Sequence, residues 1–341
     1  MPEALWQLTV ARFRVFLREP SAVFWSFGFP LLLTVALGVA FRTRGAPQEG
    51  VAVEAGPGAD RLAETLRPSF HVALVTPAEA TRRLASGSVA LVLALREGAV
   101  LFRLDPTRPE AQAARLQADD LLQRAAGRRD SLRVAEEAVA APGARYVDWL
   151  VPGLVGVQLM SGSLWGICYV IVETRQRKLL KRLAATPMRR AHFLLSFLLS
   201  RLVLVLIEVP LLLAFAHFAF GVVLRSPFAA ILAVSFLGAA SFSGIGLLCG
   251  SRAQNTETAN GLVNLATLPM FVLSGVFFSA SRFPSFLQGP IRLLPLTALN
   301  EALRGLVNQG VSLASLGVPV AVLLVWGAAS FALALRWFRW S

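Results

Sequence analysis

Residues 202–224 read LVLVLIEVPLLLAFAHFAFGVVL, a run of 23 positions whose only ionisable groups are Glu208 and His217. At ~1.5 Å per helical residue such a run is about 34 Å long, enough to cross a hydrocarbon core of ~30 Å. A carboxylate at mid-bilayer costs ~2.5–3.5 kcal/mol. The 16 Leu, Ile, Val and Phe residues of the run offset that with roughly −5 to −10 kcal/mol. The segment therefore inserts as a helix despite Glu208. Arg201 precedes Glu208 by seven residues on the same helical face, about 10 Å away along the axis, a separation that argues against a direct ion pair. Glu208 is read as facing a pore or a neighbouring helix.

Five further uncharged runs flank this one: Ser21–Phe41, Trp149–Val172, Phe228–Gly250, Thr258–Ala280 and Leu316–Leu335. Composition agrees, with 55% hydrophobic residues, 16% charged residues and a mean hydropathy of +0.62 over 341 residues. A water-soluble domain carries charge on about a quarter of its residues. The first run is longer than the ~7–15 apolar residues of a signal peptide and is read as an uncleaved anchor. Ahead of it, Leu5, Val10, Phe13, Phe16 and Leu17 recur at helical steps, with Arg12, Arg14 and Arg18 mostly off that face. Residues 1–20 are thus expected to form an amphipathic helix along the cytoplasmic membrane surface, its arginines among the headgroups.

Residues 42–148 differ in kind. Residues 42–145 balance 15 arginines against 13 acids and hold no run able to span. Short β-type segments at 50–55, 70–75, 89–95 and 100–104 alternate with helical ones at 60–66 and 77–85, and a long polar helix is expected over 108–140. The alternation predicts a small α/β domain. The fold class that results is an α-helical integral membrane protein of six transmembrane helices, with an α/β domain inserted after the first.

Orientation follows from the short loops. Residues 173–201 carry eight basic side chains against Glu173 alone, and such loops stay in the cytoplasm. That places both termini inside and residues 42–148 outside. The same rule accounts for the net charge of +13 without nucleic acid, for which no motif exists. Residues 281–310, broken by Pro284, Pro290 and Pro295, are expected to form amphipathic or re-entrant helices on the outer side, shielded by protein.

Catalytic motifs are missing. There is no phosphate-binding loop, no HExxH and no GxSxG, and Cys168 and Cys249 show no metal spacing. No catalytic residue, metal or bound cofactor is expected. Polar side chains inside the spans remain: Gln158, Ser161 and Trp165 on the second, Glu208 on the third, and Asn260, Asn264, Thr267 and Ser274 on the fifth. Such stripes glue helices together or line a substrate route. In the basic loop, Arg175–Ala185 can form one helix with Leu179, Leu180 and Leu183 on one face. Thr186-Pro187 then ends it. The loop reads as a positive-inside anchor, or as a leucine ridge for a groove in a soluble partner.

Several of these segments resemble the type 2 ABC-transporter permeases. Arg18-Glu19-Pro20 looks like the family's surface-helix ending. Leu180-Lys181-Arg182-Leu183-Ala184-Ala185-Thr186-Pro187 is similar to its cytoplasmic coupling segment. Leu273-Ser274-Gly275-Val276-Phe277-Phe278, Phe283-Pro284, Leu294-Pro295-Leu296-Thr297 and Glu301-Ala302-Leu303-Arg304-Gly305 look like its fifth span and outer helices. Relatives often carry glycine just before the coupling leucines, where this chain has Lys178-Leu179. The insertion at 42–148 matches the branch with a large extracellular domain. The resemblance implies an exporter subunit in the bacterial inner membrane, paired with a copy of itself or a related permease. ATP and Mg would be bound by a separate ATPase subunit. It makes Arg175, Leu179, Leu180, Leu183, Thr186 and Pro187 the coupling residues and places Pro295, Glu301 and Arg304 on the outer helices. Substrates would be amphipathic: drugs, lipids or glycans. A membrane-anchored sensor with a ligand-binding outer domain is the competing reading.

Overall fold

The computed structural model describes residues 2–40, 50–96, 99–129, 145–180, 190–276 and 283–338. They divide into two compact units, one of residues 1–42 with 139–341 and the other of residues 43–138.

The N-terminal part opens with helix α1 (Pro2–Leu17), which stops before Glu19 because Pro20 follows. A short helix α2 (Pro20–Val23), one π-helical turn (Phe24–Gly28) and helix α3 (Phe29–Ala40) then run on without a break. The ring of Phe24 folds over Gly28, where a Cβ would lie 2.8 Å from it. Glycine at 28 is what leaves room for the wider turn.

The second unit is a four-stranded sheet in the order β2-β1-β3-β4, with strands β1 (Gly50–Glu54), β2 (His71–Val75), β3 (Leu91–Arg96) and β4 (Ala99–Arg103). The first three pair in parallel and β4 returns antiparallel. Helices α4 (Ala59–Leu66) and α6 (Pro109–Ala125) cover one face, and α5 (Pro77–Ala85) covers the other. Parallel strands need such crossovers, and burial on both faces explains the near-continuous apolar run of Val89–Leu93. The helix expected over 108–140 is interrupted: α6 ends at Ala125, and residues 130–140 lie outside the described residues. Gly127 takes φ +99°, and Gly127 N–H donates to the Arg124 carbonyl at 3.0 Å, which ends the helix.

Helices α7 (Tyr146–Gln176), α8 (Arg190–Phe220), α9 (Phe228–Arg252), α10 (Thr256–Leu273), α11 (Ser285–Arg292), α12 (Pro295–Arg304) and α13 (Gly317–Trp337) complete the first unit. Among the described residues five segments are long and apolar enough to cross a membrane: 20–39, 146–176, 192–220, 228–252 and 313–337. The remaining expected span, the fifth in chain order, corresponds to α10, which is formed but carries Asn260, Asn264 and three threonines within 18 residues and is not among the five. It runs antiparallel to α7 along most of the bundle. Near its start Gln176 Nε2 donates to Thr256 Oγ1 at 3.5 Å, and beyond its end Arg304 Nη2 donates to the Gly275 carbonyl at 2.7 Å.

Helix α9 is the hub, packed against α7, α8, α12 and α13. Small residues let it approach so closely. A Cβ on Gly246 would lie 2.7 Å from the Ser163 carbonyl of α7, and one on Gly244 would lie 3.0 Å from the Gly327 carbonyl of α13. Without a hydrophobic drive between helices in lipid, such close contact is what holds them. Every residue of α12 except Glu301 is buried, so its backbone is enclosed by protein.

Candidate functional site

Three polar clusters punctuate the apolar bundle. The first lies midway along α8. Arg201 and Glu208 form a two-pronged ion pair, Nη1–Oε1 and Nη2–Oε2 both at 2.8 Å, with side chains 4% and 3% exposed. This corrects the expectation that seven residues is too far. Helical side chains lean toward the N-terminus, so Glu208 reaches back while the long Arg201 side chain extends forward between the turns. Arg201 Nε also donates to Ser163 Oγ at 3.1 Å, and Nη2 to the Gln158 carbonyl at 3.4 Å. Its guanidinium lies flat on Gly162, where a Cβ would come within 2.7–2.9 Å of it. Gln158 Nε2 in turn donates to the Ser26 carbonyl, inside the π-helical turn, at 2.9 Å. One narrow crevice, lined by Val155, Gln158, Leu159, Glu208, Val209 and Leu212, separates α7 from α8 here.

The other expected pathway residues lie elsewhere. Ser161 and Trp165 are half-buried on α7, with Trp165 stacked on Tyr169 at 5.4 Å. On α10 the stripe divides. Thr267 is buried and donates to the Val263 carbonyl at 2.8 Å, Asn260 is half-buried, and Asn264 is exposed beside Leu265 and Leu268.

The second cluster closes the end of the bundle where α10 stops. Arg304 is buried with its guanidinium 3.5 Å from the centre of the Trp149 ring, and it donates to the carbonyls of Trp149, Gly275 and Val276. Burial pushes its pKa down to about 10, with Glu301 one turn away pulling it back up. Gly275, at φ +68°, turns those carbonyls toward it. Pro295 occupies the first turn of α12, where its missing N–H costs no hydrogen bond.

The third cluster lies at the opposite end. Arg175 donates to the carbonyls of Gly250 (3.0 Å) and Ala253, the last carbonyls of α9. This is the end where a cation is favoured. The expected helix over Arg175–Ala185 is not continuous. Helix α7 stops at Gln176, Lys178 takes the left-handed φ of +57°, and helix resumes at Leu179. Left-handed geometry costs a side chain ~1–2 kcal/mol, which is why glycine suits this position. The break turns the leucine ridge. Leu179 is 38% exposed, whereas Leu180 is buried among residues of α7, α8, α9 and α13. Leu183, Thr186 and Pro187 lie outside the described residues. Arg12 departs from its expected place in the headgroups. It turns inward, with Nε 3.0 Å from Ser196 Oγ and its guanidinium 3.3 Å from the centre of the Phe197 ring.

A bundle of long apolar helices with buried charges and helix-capping arginines, in a chain that also carries a small α/β unit, defines a multi-pass membrane protein. The ABC-2 type transporter family model matches residues 82–307, more than half of the chain, and the protein belongs to that family. Among curated relatives, the linearmycin resistance permease protein LnrN of Bacillus subtilis is 26% identical over 177 residues, 52% of this chain and 46% of that protein. ABC transporter G family member 20 of Dictyostelium discoideum is 26% identical over 188 residues, 54% of this chain and 25% of its own. The probable multidrug ABC transporter permease YbhS of Escherichia coli is 24% identical over 203 residues, 58% and 52%. The chain thus spans about half the length, or less, of the relatives it matches.

Proposed function

We propose that this chain is the membrane-spanning permease subunit of an ATP-driven exporter that moves an amphipathic drug, lipid or glycan out of the cytoplasm or inner leaflet. The observation that carries the reading is the family match over a bundle whose Arg175 end presents the exposed Leu179 just past the break that follows α7. A partner ATPase would bind there and hold the ATP and Mg. The basic loop then lies in the cytoplasm of a bacterial cell, with the α/β unit outside. Helix α10 is the fifth of six spans, and its length along α7 and its buried face, with Thr267 against the bundle, support that assignment. Gln158, Ser161, Trp165, Asn260, Asn264 and Thr267 are proposed to border the route in a homodimer or a dimer with a related permease.

Two measurements test this. Leu179→Asp should abolish co-purification with the partner ATPase, or uncouple its ATP hydrolysis, while membrane insertion persists. A variant complex that assembles and transports normally refutes the coupling site. Thiol labelling from each face should find Met188→Cys only from the cytoplasmic side, and labelling only from outside inverts the topology.

A further inference from the structure

We propose that Phe193, Phe197 and Phe338 form a socket through which movement of the segment starting at Leu179 enters the bundle, and that Arg12 makes the surface helix α1 part of the same joint. The proposal rests on the coupling reading above. Leu180 is 1% exposed and shares one apolar cluster with Ile171, Phe193, Phe197, Leu247 and Phe338. These residues come from α7, α8, α9 and the end of α13, so a single side chain touches the group that ties four helices together. Phe193 meets Phe197 edge-on at 5.3 Å and 89°, and meets Phe338 at 6.2 Å and 68°.

Two arginines flank the rings. Arg175 lies 5.7 Å from the centre of Phe338 while holding the last carbonyls of α9. From the other side Arg12 stacks on Phe197 at 3.3 Å and stands 5.1 Å from Phe193. No carboxylate lies within ion-pair distance of Arg12 among the described residues, and burial pushes its pKa down to about 9, which leaves it charged at neutral pH. Ring faces and Ser196 Oγ hold that charge instead. Arg14, two residues on, is exposed. A helix that merely lay in the headgroups would leave both arginines outside.

Mechanically, the left-handed Lys178 uncouples residues 179–180 from the axis of α7, so Leu180 is their hold on the bundle. A close-packed contact transmits displacement because it has no free volume to absorb it. Shifting Leu180 must move the Phe193 and Phe197 rings, and with them Arg12 and α1.

The test uses the full chain in vesicles, with Cys168 and Cys249 replaced by alanine and one thiol introduced by Leu179→Cys. Maleimide labelling should become several-fold faster in Arg12→Gln, which removes the stack, and intermediate in Arg12→Lys, which keeps charge without a planar face. Arg14→Gln should leave the rate unchanged. Thermal midpoints in detergent identify any variant that has unfolded, and Arg12→Lys then carries the comparison. Equal rates in all Arg12 variants, or an equal response to Arg14→Gln, overturn the joint. Shielding of the same thiol by a co-expressed partner ATPase is scored separately. Its absence counts against the coupling reading, while dependence on Arg12 still supports the joint.

Discussion

At Arg201 and Glu208 a guanidinium and a carboxylate leave water together, two turns apart on one helix. The pair neutralises α8 within itself, so the helix can enter lipid without an uncompensated charge. Its hydrogen bonds to α7 go to the neutral Ser163 and Gln158 oxygens. Glu208→Gln leaves Arg201 buried without a counter-charge, for which ~3–5 kcal/mol of destabilisation is expected. Arg201→Met combined with Glu208→Leu should restore most of it, because the double variant buries no charge. Thermal unfolding in detergent measures both, and a double variant no better than Glu208→Gln refutes the pairing. A second prediction concerns Lys178. Lys178→Gly should stabilise the chain by about 0.5–1 kcal/mol, since glycine enters the left-handed region without a Cβ penalty. An unchanged or lower thermal midpoint counts against it. In the sequence Lys178-Leu179 is a departure from the glycine that the family resemblance implies before the coupling leucines, and the left-handed backbone at Lys178 gives that departure a physical meaning. Arg201–Glu208 was misjudged because axial distance ignores how far two long side chains lean toward each other.

The scale of elements shows which features patterning reveals. Long apolar runs have one stable solution in a bilayer, so α7, α8, α9 and α13 were legible, each within a few residues to a turn at either end except α8. That helix begins at Arg190, twelve residues before the expected start at Leu202, because the apolar run does not stop at Arg201: residues 192–200 are apolar too, and Arg201 is carried within the helix by its ion pair with Glu208. Strand positions in the α/β unit were legible from short apolar segments between turns. Packing order was not, since nothing along the chain states that α9 sits at the centre. The clue lies in its glycines, whose importance depends on what faces them. Gly246→Ala places a methyl 2.7 Å from the Ser163 carbonyl, a backbone atom that cannot swing aside, and should cost ~1–3 kcal/mol. Gly261→Ala on α10 meets nothing within 4 Å and should be neutral or stabilising by about 0.5–1 kcal/mol through helix propensity. Thermal midpoints of the two variants in the same detergent decide it. Equal losses would mean that α9 is not packed as closely as these distances require.

On the scale of the whole molecule, α10 is incomplete as a single-chain element. Its inner face, Ala259, Val263, Thr267 and Met270, is buried against its own bundle, while Leu265, Leu268 and Val272 are exposed together with Asn264. An asparagine facing hydrocarbon leaves its amide unpaired, at a cost of a few kcal/mol, whereas a second permease copy would bring a matching face across a symmetric seam. Asn264→Leu distinguishes these environments, because the side chain is exposed in the single chain and its loss removes no packing there. If Asn264 lies at a dimer seam, the substitution should lower the dimer fraction in nanodisc photobleaching or cross-linking and leave the thermal midpoint of the monomer unchanged. If α10 faces lipid, removing the amide should raise the midpoint and leave the dimer fraction as it was. The second outcome would remove α10 from the proposed route, since a helix that meets only lipid cannot border a passage between two subunits. Asn260 and Asn264 would then remain unexplained on a helix already less apolar than its neighbours.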